Sequence, residues 1–279
     1  MSNESRLLVA DSFRVQRHPE TGRAEVRGWS RHLGRFSRAV AEVSASEPSR
    51  PWSEAALQEF LRESAHRIAA YGDGFPRLEY WQDAGETRFS LSLRPAPPLG
   101  NELEMRTAPG VFLDHAGRKG PNIARLREVN LGLGAEALLL DPIGQVLEGA
   151  TTSLVWWEPG GSTAHVVARA HADAEPASAN RVPSITECLL VDAVTRRNAP
   201  DRGDAADTFD TVRIEAGLAT PARLVESEVW AVNALHGIRV VTAIDGQSTL
   251  PPDGHRLERF RAELDQTWEL VRPLSPANG

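Results

Sequence analysis

Lys119 is the one lysine of the sequence; the other 30 of its 31 basic residues are arginine. Codon bias accounts for much of that skew, because arginine replaces lysine at most solvated positions. Arginine, however, keeps its proton at any working pH, whereas a lysine amine can lose its proton and attack a carbonyl. The retained lysine lies in GRKGPNIARL, read as the end of a strand just ahead of a helix. An amine held there, away from water, sheds its proton more readily than a solvated one. Taken alone, an ordinary surface lysine is the competing description.

Two further stretches carry groups suited to chemistry. Glu148 closes a mostly apolar hairpin between Leu147 and Gly149, and a carboxylate buried there needs a partner. A protonated pyridine nitrogen would serve, and so would an internal arginine. In VPSITE, Ser184 and Glu187 have the Ser-x-x-Glu spacing of a capping box, which starts a helix whatever its use. The N–H groups of Ile185 and Thr186, with the Thr186 hydroxyl, make a suitable phosphate site.

The elements that must position these groups follow from periodicity. Arg6 to Val15 reads as a strand, HPETG (18–22) as a turn and AEVRG (24–28) as the return strand. Trp29, Leu33, Phe36, Val40 and Val43 then fall on one helical face, with His32 and Arg35 beside it. After the break at 44–51, Ser53 is expected to cap a second helix buried through Leu57, Phe60, Leu61, Ala65 and Ile68. TRFSLSLRP (87–95) alternates as a strand, and the Pro-rich 97–103 reads as a linker between domains at 1–96 and 104–279. Beyond it the pattern predicts a strand near Gly110–Asp114 and a helix through Ile123, Leu126 and Val129 closed by Gly132 or Gly134. Strands follow at 136–141, 145–149, 151–157 and around HVVARA, then a helix from VPSIT, a solvated loop at 198–210, a strand at 211–215, the segment 225–241 and a final helix at 255–271. Strands outnumber helices in the second half, which favours a mixed α/β (α+β) fold over a doubly wound one. No Gly-rich nucleotide loop is present.

Acidic residues exceed basic ones by 38 to 31, a formal charge of −7, which argues against nucleic acid or an anionic membrane as partner. With 41% hydrophobic and 25% charged residues, the composition is that of a folded domain. The single cysteine, Cys188, excludes an internal disulfide and a Cys-rich metal site, and no metal is expected. The N-terminal stretch has no leader pattern and no apolar run approaches the ~20 residues that span a bilayer. A cytoplasmic protein is the expectation.

Together, Lys119, GAEALLLDPIGQVLEG (134–149), ATTSLVWW, VPSIT (182–186) and EVWAVNALHGIRVV (228–241) occur in the order of the class IV aminotransferase motifs. DSFRV (11–15) and RHLGRF (31–36) resemble the family's upstream strand and helix, so the likeness spans nearly the whole chain. The resemblance implies a two-domain, fold type IV (D-amino-acid aminotransferase-like) enzyme with pyridoxal 5'-phosphate in the interdomain cleft, acting as a homodimer on a small amino substrate. It implies that Lys119 carries the cofactor as an internal aldimine and shuttles protons through a quinonoid. Glu148 would bond the pyridine nitrogen, and Arg35 the phosphate. Ile185, Thr186, Asn233 and Ala234 would add phosphate contacts, and Val182 would pack on the ring. Arg88, Arg94 and Arg239 are the candidates for a substrate carboxylate.

Ser184 and Glu187 stand where the family has Gly and Arg, and Glu187 is expected to turn away as a capping residue. Ser153 replaces the usual Asn, Ala234 lacks a hydroxyl, and Asn122 and Ile123 occupy the stretch of the family's tyrosine. The last two features and VNALHGIR resemble the 4-amino-4-deoxychorismate lyases, which form 4-aminobenzoate, a folate precursor, and pyruvate. A transaminase of branched-chain or D-amino acids is the alternative, and a non-catalytic binding subunit a third.

Overall fold

The computed structural model describes residues 5–46, 53–83, 86–168, 181–197 and 212–273. The loop expected at 198–210 and parts of the stretches 44–51 and 158–181 lie outside them. The chain divides into two units: Met1–Leu99 with Arg118–Pro121 and Thr267–Gly279, and Gly100–Gly117 with Asn122–Gln266.

In the first unit the opening strand is split at Phe13 and Arg14 into β1 (Arg6–Ser12) and β2 (Val15–Arg17). β2 turns back into β3 (Ala24–Arg27), antiparallel. α1 (Trp29–Ser46) buries the expected stripe, and His32 and Arg35 are buried with it. Ser53 caps α2 (Glu54–Tyr71), its Oγ accepting the Ala56 N–H at 3.3 Å. Leu33, Phe36, Leu61 and Ile68 are almost wholly removed from water, each contributing about 1.5–3 kcal/mol. β4 (Arg77–Asp83), to which the sequence reading assigns no strand, lies between β1 and β5 (Glu86–Ser92) in an antiparallel sheet.

In the second unit, β6 (Glu102–Ala108) begins inside the expected linker, and the strand expected at Gly110–Asp114 is a turn followed by irregular backbone. Pro109 has no N–H for a ladder and Gly110 has φ 74°, so the strand stops at Ala108. Lys119 therefore sits in a loop well past the strand rather than at its end. α3 (Ile123–Leu133) is closed by Gly134 in the left-handed conformation. β7 (Glu136–Leu140), β8 (Val146–Gly149), β9 (Ser153–Trp157) and β10 (Thr163–Val167) precede α4 (Ile185–Arg197). After it come β11 (Arg213–Gly217), α5 (Pro221–Val225), β12 (Glu228–Asn233), β13 (Gly237–Ile244), β14 (Gln247–Ser248) and α6 (Gly254–Asp265). The strands make one nine-stranded mixed sheet, ordered β11-β10-β9-β12-β13-β6-β7-β8 with β14 on β13. Against it α4 and α6 cover a core in which Trp157 and Trp230 lie 4.2 Å apart with Phe260 on both.

The final helix stops at Asp265 rather than reaching 271. Residues Trp268–Leu270 form β15, which pairs with β3 in the first unit. The Arg27 guanidinium lies 4.4 Å from the Trp268 ring, so ladder bonds and cation–π contact win over helix continuation.

Candidate active site

Lys119 is fixed through its backbone. Its carbonyl accepts the Ala10 N–H of β1 at 2.8 Å. Next to it, Gly120 has φ 144°, and a Cβ there would meet Val9 Cα at 2.8 Å and Ala10 N at 2.9 Å. Only glycine allows both that conformation and that approach. The loop is thus pinned to β1 one residue from Asp11.

Asp11 is fully buried and is the hub of a charged cluster. Arg35 grips it as a fork, Nε to Oδ2 at 2.8 Å and Nη2 to Oδ1 at 2.7 Å. His32 Nδ1 lies 2.8 Å from the same Oδ1. Burial alone would raise the Asp11 pKa, but the Arg35 charge and the hydrogen bonds from His32 and Arg35 hold it well below the usual carboxylate range. The pKa of His32 is also lowered, from its usual value of 6.5: burial lowers it, Asp11 opposes, and the positive charges of Arg35 and Lys119 lower it further. An ionised Asp11 only accepts, so the neutral imidazole carries its proton on Nδ1. Its Nε2 is buried without a hydrogen-bond partner among the described residues.

Of the candidate substrate arginines, Arg94 reaches this region, with Nη2 3.3 Å from Ser12 Oγ and Nε on the Phe75 carbonyl at 3.1 Å. Burial lowers its pKa, and Arg77 adds to the shift. Arg88 does not join it. It pairs with Asp83 at 2.6 Å, at the other end of the β4–β5 ladder, and is half exposed.

In the second unit three segments converge. Glu148 is buried on β8 opposite Leu139. The turn that follows is clamped by Glu136, which accepts the Thr151 N–H at 2.6 Å and the Thr152 hydroxyl at 3.2 Å. Asn233 closes an Asx turn, its Oδ1 accepting from Leu235 N and His236 N, and places Ala234 within it. The Asn233 Nδ2 donates to the Thr151 carbonyl at 3.3 Å, tying the two turns together. Arg239 is half-buried on β13, and burial lowers its pKa against the charge of Glu136.

The third segment is the start of α4. Ile185 and Thr186 are buried, and their N–H groups precede the first helical bond, Cys188 N to Ser184 O at 3.1 Å. Ser184 Oγ accepts the Glu187 N–H at 3.3 Å, as a cap should. The Glu187 carboxylate has a buried cation as its partner. It forms a buried fork with Arg181, Nη1–Oε2 and Nη2–Oε1 both 2.9 Å. Arg181 also donates to the Val167 carbonyl and reaches Ser153 Oγ at 3.5 Å, and Val182 follows it. Glu187's charge is thereby neutralised at a helix start that would otherwise repel an anion. Asp11, Glu136 and Arg181 hold candidate site residues in place, and the sequence does not single them out. The Arg-x5-Glu spacing of Arg181 and Glu187 was the only local signal.

Among the described residues no group of three or more metal-ligating side chains occurs, and no helix is long and apolar enough to cross a membrane. No protein-family model and no curated protein matches the chain. Solved structures do. A T.th. branched-chain amino acid aminotransferase, complexed with N-(5'-phosphopyridoxyl)-L-glutamate, is 17% identical, with TM-score 0.67 over 97% of this chain and 90% of that one. A hypothetical aminotransferase from Mycobacterium tuberculosis, in an alpha-ketoglutarate and PMP bound form, is also 17% identical, with TM-score 0.67 over 94% and 88%. A Legionella pneumophila protein provisionally designated a 4-amino-4-deoxychorismate lyase is 13% identical, with TM-score 0.66 over 95% and 91%. The chain thus has the mixed α/β fold of the fold type IV aminotransferases.

Proposed function

We propose that this chain is a pyridoxal-phosphate-dependent enzyme, and within that class a 4-amino-4-deoxychorismate lyase. The observation that carries the reading is Lys119: the only lysine, pinned by Ala10 and Gly120 beside the buried Asp11–Arg35 pair, in a chain with this fold. The donor set suits the cofactor. A buried carboxylate, Glu148, matches a cationic ring nitrogen, and the neutralised start of α4 matches a phosphate.

Bound there, the cofactor supplies an aldehyde for an amine and a ring that accepts electrons. Lys119 Nζ would be the group that holds the cofactor, and its free amine would take the proton from the amine-bearing carbon of the substrate. Glu148 holds the proton on the ring nitrogen. Ile185 and Thr186 would donate their N–H groups to the phosphate, with Arg35, Asn233 and Ala234 as further contacts, and Val182 would pack on the ring. In the lyase reaction that carbon loses its proton and the ether C–O bond breaks. The electron pair leaves with the enolpyruvyl oxygen as the enolate of pyruvate, whose methylene carbon takes a proton to give pyruvate, and the ring is left aromatic as 4-aminobenzoate.

Transamination of a branched-chain or D-amino acid uses the same residues, and the likeness to aminotransferases favours it as second reading. The absence of a tyrosine after Lys119 and the VNALHGIR turn favour the lyase. Incubation with aminodeoxychorismate is expected to yield 4-aminobenzoate and pyruvate in equal amounts. Keto-acid formation from amino acids without 4-aminobenzoate would move the assignment to the transaminase. Neither product, with no cofactor retained, would leave a binding subunit. A homodimer is part of the reading: Phe112 and Leu131 are largely exposed apolar side chains of the second unit. Sedimentation at a single monomer mass would remove that part.

A further inference from the structure

The proposed reaction makes no use of Glu136, yet four donors converge on its two carboxylate oxygens. Oε1 accepts the Thr151 N–H at 2.6 Å, the Thr151 hydroxyl at 2.9 Å and the Thr152 hydroxyl at 3.2 Å. Oε2 accepts the Asn130 Nδ2 amide of α3 at 3.0 Å and shares the Thr151 hydroxyl at 3.1 Å. Asn130 is fixed in that orientation, because its Oδ1 takes the Ala137 N–H at 2.8 Å. A group that faces donors at both ends has to accept at both atoms, as a carboxylate does and an amide does not. An amide here would set its own N–H against the Thr151 N–H or against the Asn130 amide.

The segments gathered in this way carry candidate cofactor contacts of the second unit. Thr151 and Thr152 belong to the turn after Glu148, which is closed by the Gly149 N–H on the Thr152 carbonyl at 2.8 Å and tied to β7 by the Ala150 N–H on the Ala137 carbonyl at 2.9 Å. Gly149 passes so near the clamp that an added Cβ would collide with Thr152 Oγ1 and lie 3.1 Å from Glu136 Oε1. The Thr151 carbonyl in turn accepts Asn233 Nδ2 at 3.3 Å, and Asn233 shapes the turn that holds Ala234. We propose that Glu136 is a positioning residue for the cofactor. One carboxylate holds the segment of Glu148, assigned to the ring nitrogen, and the segment of Asn233 and Ala234, assigned to the phosphate, so neither shifts without the other. This rests on the cofactor reading of those residues. Glu136 makes and breaks no bond of the substrate. It fixes the spacing between two contacts that must match the two ends of one rigid ring.

The test reads binding by the full chain rather than turnover. Dissociation constants for pyridoxal 5'-phosphate are taken from absorbance titrations, with a thermal melt of each chain alongside. Glu136→Gln is expected to weaken binding about tenfold, the size of one charge-assisted hydrogen bond. Added to Glu148→Gln or to Asn233→Ala, it should cost less than about threefold more, because the segment it held is already cut loose. Added to Thr186→Ala, a phosphate contact on α4 outside the clamp, it should cost the full factor again. If Glu136→Gln does not fold, Thr151→Val takes its place: it removes one donor from an exposed turn and should show the same pattern at smaller size, with Thr151→Ser back at the parent value. The same factor on all three backgrounds, coupling to only one of Glu148 and Asn233, or equal coupling to Thr186 overturns the proposal. So does a lowered melting temperature with unchanged binding, which would make Glu136 a brace only. Any of these, in a parent chain that binds pyridoxal 5'-phosphate, removes this inference alone. A parent chain that does not bind it removes the cofactor reading and, with it, the role given to Glu136.

Discussion

An arginine–carboxylate fork lies buried in each unit, and these two forks are used differently. In the second unit Arg181 and Glu187 are six residues apart, and the remaining polar contacts of Arg181 go to Val167 and Ser153 of the same unit. That fork closes a loop and cancels a charge at the start of α4. In the first unit Asp11 divides its carboxylate between Arg35 and His32, 24 and 21 residues away, and a lysine's charge reaches the same imidazole. The first is a brace, while the second is a charge cluster with a titratable member. Geometry alone would not separate them, since both are two-bond forks of nearly the same lengths. The separation lies in what else the carboxylate holds.

Breaking the brace gives the largest effect. Arg181→Met takes the arginine charge away from the buried Glu187 carboxylate and is expected to cost about 3–5 kcal/mol in denaturant unfolding. Arg181→Met with Glu187→Leu should recover most of it, because neither charge remains. If the single and double variants unfold alike, the pair is not the brace described.

Gly120→Ala attacks the other fork indirectly, by lifting the Lys119 loop off β1. The added methyl meets backbone rather than a flexible side chain, so a loss of about 1–3 kcal/mol is expected in thermal melts. Gly110→Ala, with open space around its Cβ but positive φ, should cost only about 1 kcal/mol. Equal losses at the two glycines would argue against close contact at Gly120.

The smallest effect is the most specific to the cluster. His32 is held below its ordinary 6.5, so below that pH the unfolded chain binds a proton that the native state refuses. Stability therefore falls as pH drops from 6.5, by at most about 1.4 kcal/mol per pH unit from this group. Asp11 has the opposite charge and a lowered value, so its contribution is intact above its ordinary 3.8 and lost only at more acid pH. His32→Gln should flatten the stability profile between pH 6.5 and 5 and leave the acid limb of Asp11 in place. An unchanged profile across pH 6.5 to 5 would show that His32 is not kept neutral in the native chain.

What could be read from the sequence was what local pattern encodes. The α1 stripe, the Ser53 and Ser184 caps, Gly134 and the hairpin around Glu148 all have short-range signatures, and each element formed where its pattern lies. The strand before Lys119 was misplaced because Val111 and Leu113 look like strand residues, while Pro109 and Gly110 had already ended the ladder. The local pattern at β15 is that of a helix, and its pairing is decided by β3, more than 200 residues earlier in the chain. The same holds for the site. Lys119 stood out by composition and Thr186 by its cap. Asp11 and His32 meet only through tertiary packing, and Arg181 gave no periodic signal at all. For Glu187 the sequence shows only its place in a capping box, and the structure adds a partner, Arg181, because a buried carboxylate needs one.

The most direct measurement is where the chain holds its cofactor. The purified protein is mixed with pyridoxal phosphate, freed of excess, reduced with borohydride and mapped by peptide mass spectrometry. The account predicts one phosphopyridoxyl adduct, on Lys119, and no retained cofactor label in Lys119→Arg. No adduct in the parent chain, or equal labelling of the parent and Lys119→Arg, would contradict it.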